Sequence, residues 1–284
     1  MKQVKQFLAF MSERQKIYRK KQAGEPRPWT RDPILNSCFF CNVFREQDTN
    51  TIWIKKNWRD PYADHPMLPL AMALARSINY IPTLEELGFP EKWDRARFLR
   101  IIAGRKARGE QWGTAAHVIA PGKPGKPGEP KEYRIARTLD GTHELFKHSA
   151  QQGAWDESCT LQGMFEALTQ TGIDGMGPFT AYEIVTDLRY TKWLCHAPDR
   201  MTWCNISIGS LRGLNRVMGR DVHATGVSKA QLLEEARSLL PLMRKLDDPA
   251  FKKAEMREIE HSLCEFDKYL RVKDGGRARR TYPR

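Results

Sequence analysis

Long apolar runs are missing from this chain, and with them any segment approaching the roughly 20 residues that span a bilayer. The first residues, MKQVKQFLAFMSERQ, hold too short an apolar stretch, wrongly flanked, for a secretory signal. A soluble, cytoplasmic protein is the expectation. Cysteine is sparse, at six in 284 residues, and without a leader the expectation is reduced thiols. Cys38-Phe-Phe-Cys41 is a CxxC, but it has no second CxxC and no close His pair. Aromatics fill its gap, so it reads as buried core, the alternative being a metal or redox pair; no metal site is expected. No G-x-x-x-x-G-K-[ST] occurs, and GKPGKPGEPK lacks both the spacing and the hydroxyl after lysine, which excludes a P-loop in these residues. No H-x-E with P-C-x-x-C appears, against a zinc deaminase. Ser/His/Asp triads and internal repeats are not indicated. Acidic residues are outnumbered, 34 against 47 basic, for a net charge of +13. Such a balance points to a polyanionic partner.

What is present is ordinary apolar content, 40%, enough for one large domain or two lobes sharing a cleft. Residues 1–22 predict a basic amphipathic helix with Val4, Phe7, Leu8, Phe10 and Met11 toward a core. The prolines of 25–35 stop it, and Thr30 or Asp32 can cap a helix over 33–46 that turns Phe39, Phe40, Val43 and Phe44 inward. Further helices are predicted over 64–80, over 83–93 with Thr83 and Glu86 as a capping box, and over 92–108. One or two more fill 142–170, and others follow over 227–246 from Ser228 and 249–270 from Asp248. GTAAHVIA and EYRIAR favour short strands around a Gly/Pro/Lys loop at 120–131, a β-ribbon tip suited to a nucleic-acid backbone or else a solvated loop. The tail, 273–284, is basic and expected to fray. The fold class is mainly α with one small ribbon.

Residues 172–188, GIDGMGPFTAYEIVTDL, are the most informative stretch. Gly172, Gly175 and Gly177 punctuate a turn, and Thr180, Ala181, Ile184, Val185 and Leu188 recur at helical spacing. The start of the second helix offers outward N–H groups to a phosphate oxygen. This resembles the helix-hairpin-helix of DNA repair glycosylases, which grips the backbone without reading sequence; the plain alternative is a turn between two packed helices. The resemblance implies a two-lobed glycosylase-like helical fold, with 1–115 and 220–272 in one lobe and 140–219 in the other. It also implies a catalytic role for Asp199, 22 positions after Gly177 (199 − 177); the alternative for Asp199 is a helix cap or loop residue. Lyase-type members carry a lysine where Phe179 stands, so a Schiff-base lyase is not expected. Only Cys264 lies late in the chain, so the four-cysteine iron–sulfur loop of some glycosylases is not expected either.

Three charged stretches complete the picture. PWTRDPIL with CNVFREQD supplies Arg31, Asp32, Arg45, Glu46 and Asp48. The Asp199 segment runs into GSLRGLN with Arg212. EIEHSLCEFDKYLRV supplies Glu260, His261, Glu265, Asp267 and Lys268; Glu260, Cys264, Asp267 and Lys268 share one helix face, as a group that carries chemistry or as an ion-pair network between helices. Together these motifs resemble, over roughly residues 5–272, the phage alpha-glutamyl/putrescinyl thymine pyrophosphorylases, also described as amino acid:DNA transferases. The same helical module occurs fused to 5-hydroxymethyluracil DNA kinases. The resemblance implies an enzyme of thymine hypermodification, working in the cytoplasm of an infected bacterium on double-stranded DNA. A kinase first pyrophosphorylates 5-hydroxymethyluracil; the transferase then displaces pyrophosphate from the 5-methylene with an amino acid or polyamine, with the base flipped into a closed pocket. On that reading Asp199, Glu46, Asp267 and Lys268 are catalytic, and Arg31, Asp32, Arg45, Asp48, Arg212 and Glu260 bind substrate and pyrophosphate. Gly172, Gly175, Gly177 and Thr180 touch DNA. No cofactor is demanded, though Mg²⁺ suits a pyrophosphate group. The alternatives are a monofunctional DNA glycosylase acting on a modified base, and a noncatalytic module that brings the kinase to DNA.

Overall fold

The computed structural model describes residues 2–114, 128–151, 159–277 and 281–282. Among them the protein is mainly α, with twelve α-helices. In chain order these are α1 Lys2–Gln22, α2 Pro33–Ser37, α3 Thr49–Ile54, α4 Leu68–Ile78, α5 Ile81–Leu87 and α6 Arg95–Ala107, followed by α7 Lys131–Gln151, α8 Leu161–Gln170, α9 Pro178–Leu188, α10 Ile208–Val217, α11 Lys229–Met243 and α12 Met256–Lys273. They fall into two compact units: Met1–Asp48 with Arg200–Arg284, and Thr49–Asp199. Residues 49–114 therefore belong to the unit of the hairpin segment, where the sequence reading grouped them with the N-terminal helix. No described helix is long and apolar enough to cross a membrane.

In the first unit α12 is the axis. Phe7 and Phe10 of α1 meet Phe266 of α12 at 5.3 and 5.4 Å between ring centroids, an edge and a tilted contact. α10 crosses α12 so closely that a Cβ on Gly213 would lie 2.0 Å from the Leu263 carbonyl oxygen. Only glycine permits that approach. Gly213→Ala is expected to cost about 3 kcal/mol, the upper part of the overpacking range, because backbone must move rather than a flexible side chain. Chemical denaturation checks this; an unchanged midpoint would show that the helices part freely. Asp32 and Ser228 cap their helices as the sequence suggested, each accepting backbone N–H bonds, whereas Asp248 caps only the 3₁₀ turn Pro249–Lys253 and the helix predicted over 249–270 begins at Met256, capped by Glu255.

Two further expectations fail in this unit. Helix α2 stops at Ser37, and 39–44 form no helix before a 3₁₀ turn at Arg45–Gln47. Phe40, Val43 and Phe44 are buried while Phe39 is exposed. What ends α2 is long-range pairing: Cys38 forms an antiparallel bridge with Thr281, and Tyr282 N–H donates to Ser37 O. The same contact removes the frayed tail at 281–282. The Tyr282 ring packs on Trp29 and Phe39 and receives Lys21 and Arg27 at 4.9 and 5.0 Å from its centroid.

In the second unit α4 is apolar but for Arg76 and Ser77, and every one of its residues is buried, the pattern of a central helix. It packs on α7 and α9. Its Arg76 makes a bidentate pair with Asp187 of α9, 2.6 Å at each oxygen. Helix α5 starts at Ile81, with Pro82 in its first turn, and Thr83 lies fully buried inside it rather than capping it. Helix α6 begins later than predicted, capped by the Asp94 carboxylate on Arg97 N–H. The sequence reading passed over α3 and the π-turn Lys55–Arg59 that continues it. The predicted β-ribbon lies mostly in 115–127, outside the described residues. Its second flank, 132–137, is helical: Ile135, Ala136 and Leu139 bury one face of α7.

Candidate active site

The hairpin of the second unit is built as its glycines require. Gly172 and Gly175 adopt φ of 70° and 80°, the left-handed region that glycine enters without strain. Gly177 caps α9 through its carbonyl, and Pro178 supplies the first helical residue. The loop is pinned from below. Arg137 donates to Asp174 at 3.0 and 2.8 Å, the Thr138 hydroxyl donates to the Asp174 carbonyl at 2.6 Å, and Ile173 packs over Gly141 of α7. Gly172 is exposed and Gly175 and Gly177 half-exposed, whereas Thr180 is buried. The turn is thus open to a ligand through its backbone, and Thr180 serves packing.

Asp199 takes the plainer of its two sequence readings. Its two oxygens accept the backbone N–H groups of Leu161 and Gln162 at 2.9 and 3.0 Å, beside Thr160, whose hydroxyl accepts from Gly163 at 2.8 Å. It is a remote cap that ties the end of this unit to the first helix of the hairpin. Asp199→Ala is expected to destabilise the unit by about 1–2 kcal/mol and Asp199→Asn by less, since Asn also caps. Thermal melts of the two variants test the ranking; equal melting temperatures would remove the cap.

The first unit holds the densest group of charges, where the loop 41–48 meets α1 and α12. Arg14 of α1, 4% exposed, donates through Nε and Nη2 to the Cys41 carbonyl. The Cys41 N–H donates to Glu265 Oε2 at 3.1 Å, and Lys268 Nζ sits 2.6 Å from the same oxygen and 4.5 Å above the Phe40 ring. Buried Arg45 reaches Asp48 Oδ2 at 3.4 Å and the Cys41 sulfur at 4.0 Å, while Asn42 N–H holds Asp48 Oδ1 at 2.9 Å. Burial dominates the acid–base chemistry. It pushes the Cys41 thiol up to about 12, helped by Glu265 and Asp48 and opposed by Arg45. It raises the Asp48 carboxyl against the pull of Arg45, and it lowers Arg14 against the pull of Glu265. Burial and then Glu260 push up the thiols of both Cys204 and Cys264.

Of the sequence-predicted residues, Arg45, Asp48 and Lys268 therefore converge, and Glu260 borders them through Cys264. Glu46 lies half-buried in the same 3₁₀ turn. Others stand apart. Asp267 is held by Arg216 at 2.9 Å, an ion pair between α10 and α12. Asp32 spends one oxygen capping α2 and the other accepting the Tyr269 hydroxyl at 2.6 Å. Arg31 is exposed and Arg212 half-buried, and neither has an ion-pair partner among the described residues. Sequence reasoning missed Arg14, and it named Glu265 in the charged stretch 258–272 without giving it a role. Arg14 was signalled by its place on the apolar stripe of α1, in register with Phe7, Phe10, Met11 and Ile17.

Residues 1–277 match the family described as the helical domain of 5-hmdU DNA kinase. The chain is 26% identical over 292 aligned residues to a 5-hmdU DNA kinase of Bacillus phage SP10. That alignment covers 91% of this chain and 43% of the phage protein, so the chain spans less than half of its relative's length. No solved structure matches the chain.

Proposed function

The chain belongs to the family of the 5-hmdU DNA kinase helical domain, and from that premise we propose that it acts in thymine hypermodification of phage DNA, as the transferase that replaces pyrophosphate on 5-pyrophosphoryloxymethyluracil with an amino acid or amine. The observation that carries this reading is the basic group of buried Arg14 and Arg45 with half-buried Lys268, beside Asp48 and Glu265. Cations held by packing, with a carboxylate already in place, suit a polyanionic leaving group. The absence of a P-loop motif from these 284 residues suits a step that consumes a pyrophosphorylated base.

The step balances simply. The amine lone pair forms a bond to the 5-methylene carbon, and the C–O bond to pyrophosphate breaks, its electron pair leaving with the oxygen. The attacking nitrogen then gives its proton to a carboxylate. Arg45 and Arg14 receive the departing charge with their guanidinium forks, and Lys268 adds a point charge. Arg31 and Arg212 are the candidates for holding the outer phosphate. Glu46 is the proposed base, because Asp199 is occupied as a cap and Asp267 by Arg216; a positioned base contributes roughly 10²–10⁴-fold. The exposed glycine turn holds the DNA backbone. Mg²⁺ would accompany the pyrophosphate rather than the protein.

The test uses duplex DNA carrying 5-pyrophosphoryloxymethyluracil, incubated with pooled amino acids and polyamines and digested for nucleoside mass spectrometry. An adduct of the base with one amine, with free pyrophosphate, is the expected result. An abasic site would instead identify a glycosylase, and unchanged DNA a binding module; either overturns the proposal.

A further inference from the structure

We infer that Cys41, Asp48 and His261 form a binding site for a borderline-soft divalent metal ion, of which Zn²⁺ is the type. Their donor atoms, the Cys41 sulfur, a carboxylate oxygen of Asp48 and a ring nitrogen of His261, all lie within 4.8 Å of one another. Small side-chain adjustments bring three such atoms to the 2.0–2.3 Å bond lengths of a tetrahedral ion. All three residues are half-buried. Three protein ligands leave one position of the tetrahedron for water or a substrate oxygen.

The ligands come from two rigid pieces of the first unit. Cys41 and Asp48 sit at the two ends of a loop closed by the Asn42 N–H bond to Asp48 Oδ1 at 2.9 Å. His261 projects from α12, the helix that forms the axis of the unit. The supporting contacts are of the kind that orient metal ligands. Arg45 reaches both the Asp48 carboxylate, at 3.4 Å, and the Cys41 sulfur, at 4.0 Å. Arg14 and Glu265 grip the Cys41 backbone from its carbonyl and amide sides. A thiolate and a carboxylate together neutralise a dication, so the loaded site is neutral once the Cys41 thiol has given up its proton. The donor set also chooses the metal. Mg²⁺ takes oxygen ligands in octahedral geometry, whereas sulfur, imidazole and carboxylate together select Zn²⁺ and its neighbours. The CxxC spacing is thus misleading. Cys38 turns to Ser37, 3.6 Å from its hydroxyl, and the partners of Cys41 are Asp48 and His261.

The experiment needs neither DNA nor activity, so it stands or falls apart from the transferase reading. The full chain is stripped with a chelator and titrated with Co²⁺ as a spectroscopic stand-in. The expected result is saturation at one equivalent, with a thiolate-to-cobalt charge-transfer band, ligand-field bands of tetrahedral intensity, and displacement of both by Zn²⁺. Cys41→Ser should abolish the charge-transfer band. His261→Gln should keep that band but lower affinity at least tenfold, and Cys38→Ser should leave the spectrum unchanged. Circular dichroism confirms that each variant is folded, and His261→Gln decides the matter if Cys41→Ser is not. Absence of the band in the wild-type chain, its survival in folded Cys41→Ser, or unchanged affinity in folded His261→Gln would overturn the inference.

Discussion

Asp187→Asn is expected to destabilise the second unit by about 3–5 kcal/mol, because it leaves the Arg76 charge buried without its counter-ion. The Asp187 carboxylate is fully buried and accepts Arg76 Nε and Nη2 at 2.6 Å each, while both terminal nitrogens also reach the Thr51 hydroxyl at 3.2 Å. Glu183 Oε2, 4.0 Å from Arg76 Nε, is too distant to replace a bidentate pair. For a unit of this size the loss corresponds to a melting temperature lower by roughly 10 °C. Replacing both partners, Arg76→Met with Asp187→Leu, should recover most of it, since an apolar pair of similar volume avoids the desolvation penalty. Urea denaturation followed by circular dichroism measures both. A loss below about 1 kcal/mol for the single variant would mean that water or another cation reaches the site. Because Gly177 of the hairpin caps α9, DNA affinity through the hairpin should fall along with stability.

The same ion pair shows what the sequence made legible. Arg76 is a lone charge in LPLAMALARSI, a helix otherwise apolar but for Ser77, and such a residue announces a buried partner without naming it. The glycine turn was readable because positive φ has few solutions in amino-acid type, and the caps at Asp32, Ser228 and Asp248 because their chemistry is local. The stretch 38–48 was not. CFFCNVF has the apolar density of a helix, but its conformation is set by Thr281, Tyr282, Arg14 and Glu265, all far off in the sequence. The candidate site was half visible for the same reason. Arg45, Asp48 and Lys268 stood out as charges among apolar residues, while their association through Cys41 depends on tertiary contacts that no local pattern encodes. Asp199 shows the converse, in which spacing copied from a family pointed to catalysis and the carboxylate proved to be engaged in capping α8.

Arg45→Ala is expected to lower turnover of the pyrophosphorylated duplex about 10²–10³-fold, the usual cost of removing one preorganised group that stabilises developing negative charge. Its 4% exposure and its contacts with Asp48 and Cys41 fix the guanidinium before substrate arrives, which is why the loss should fall on kcat and kcat/KM together rather than on KM. Affinity for unmodified duplex should barely change, since the backbone grip is assigned to the hairpin of the other unit. Arg45→Lys separates charge from geometry: it keeps a cation beside Asp48 but lacks the planar fork, so it should recover only part of the rate. Stability must be measured alongside, because Arg45→Ala strands a buried carboxylate whose ionisation Arg45 favours against desolvation. The Asp48→Asn, Arg45→Ala double variant relieves that repulsion and should fold better than Arg45→Ala alone while remaining as slow. A folded Arg45→Ala protein with wild-type kcat would separate this cation from the leaving group and move the chemistry elsewhere in the chain.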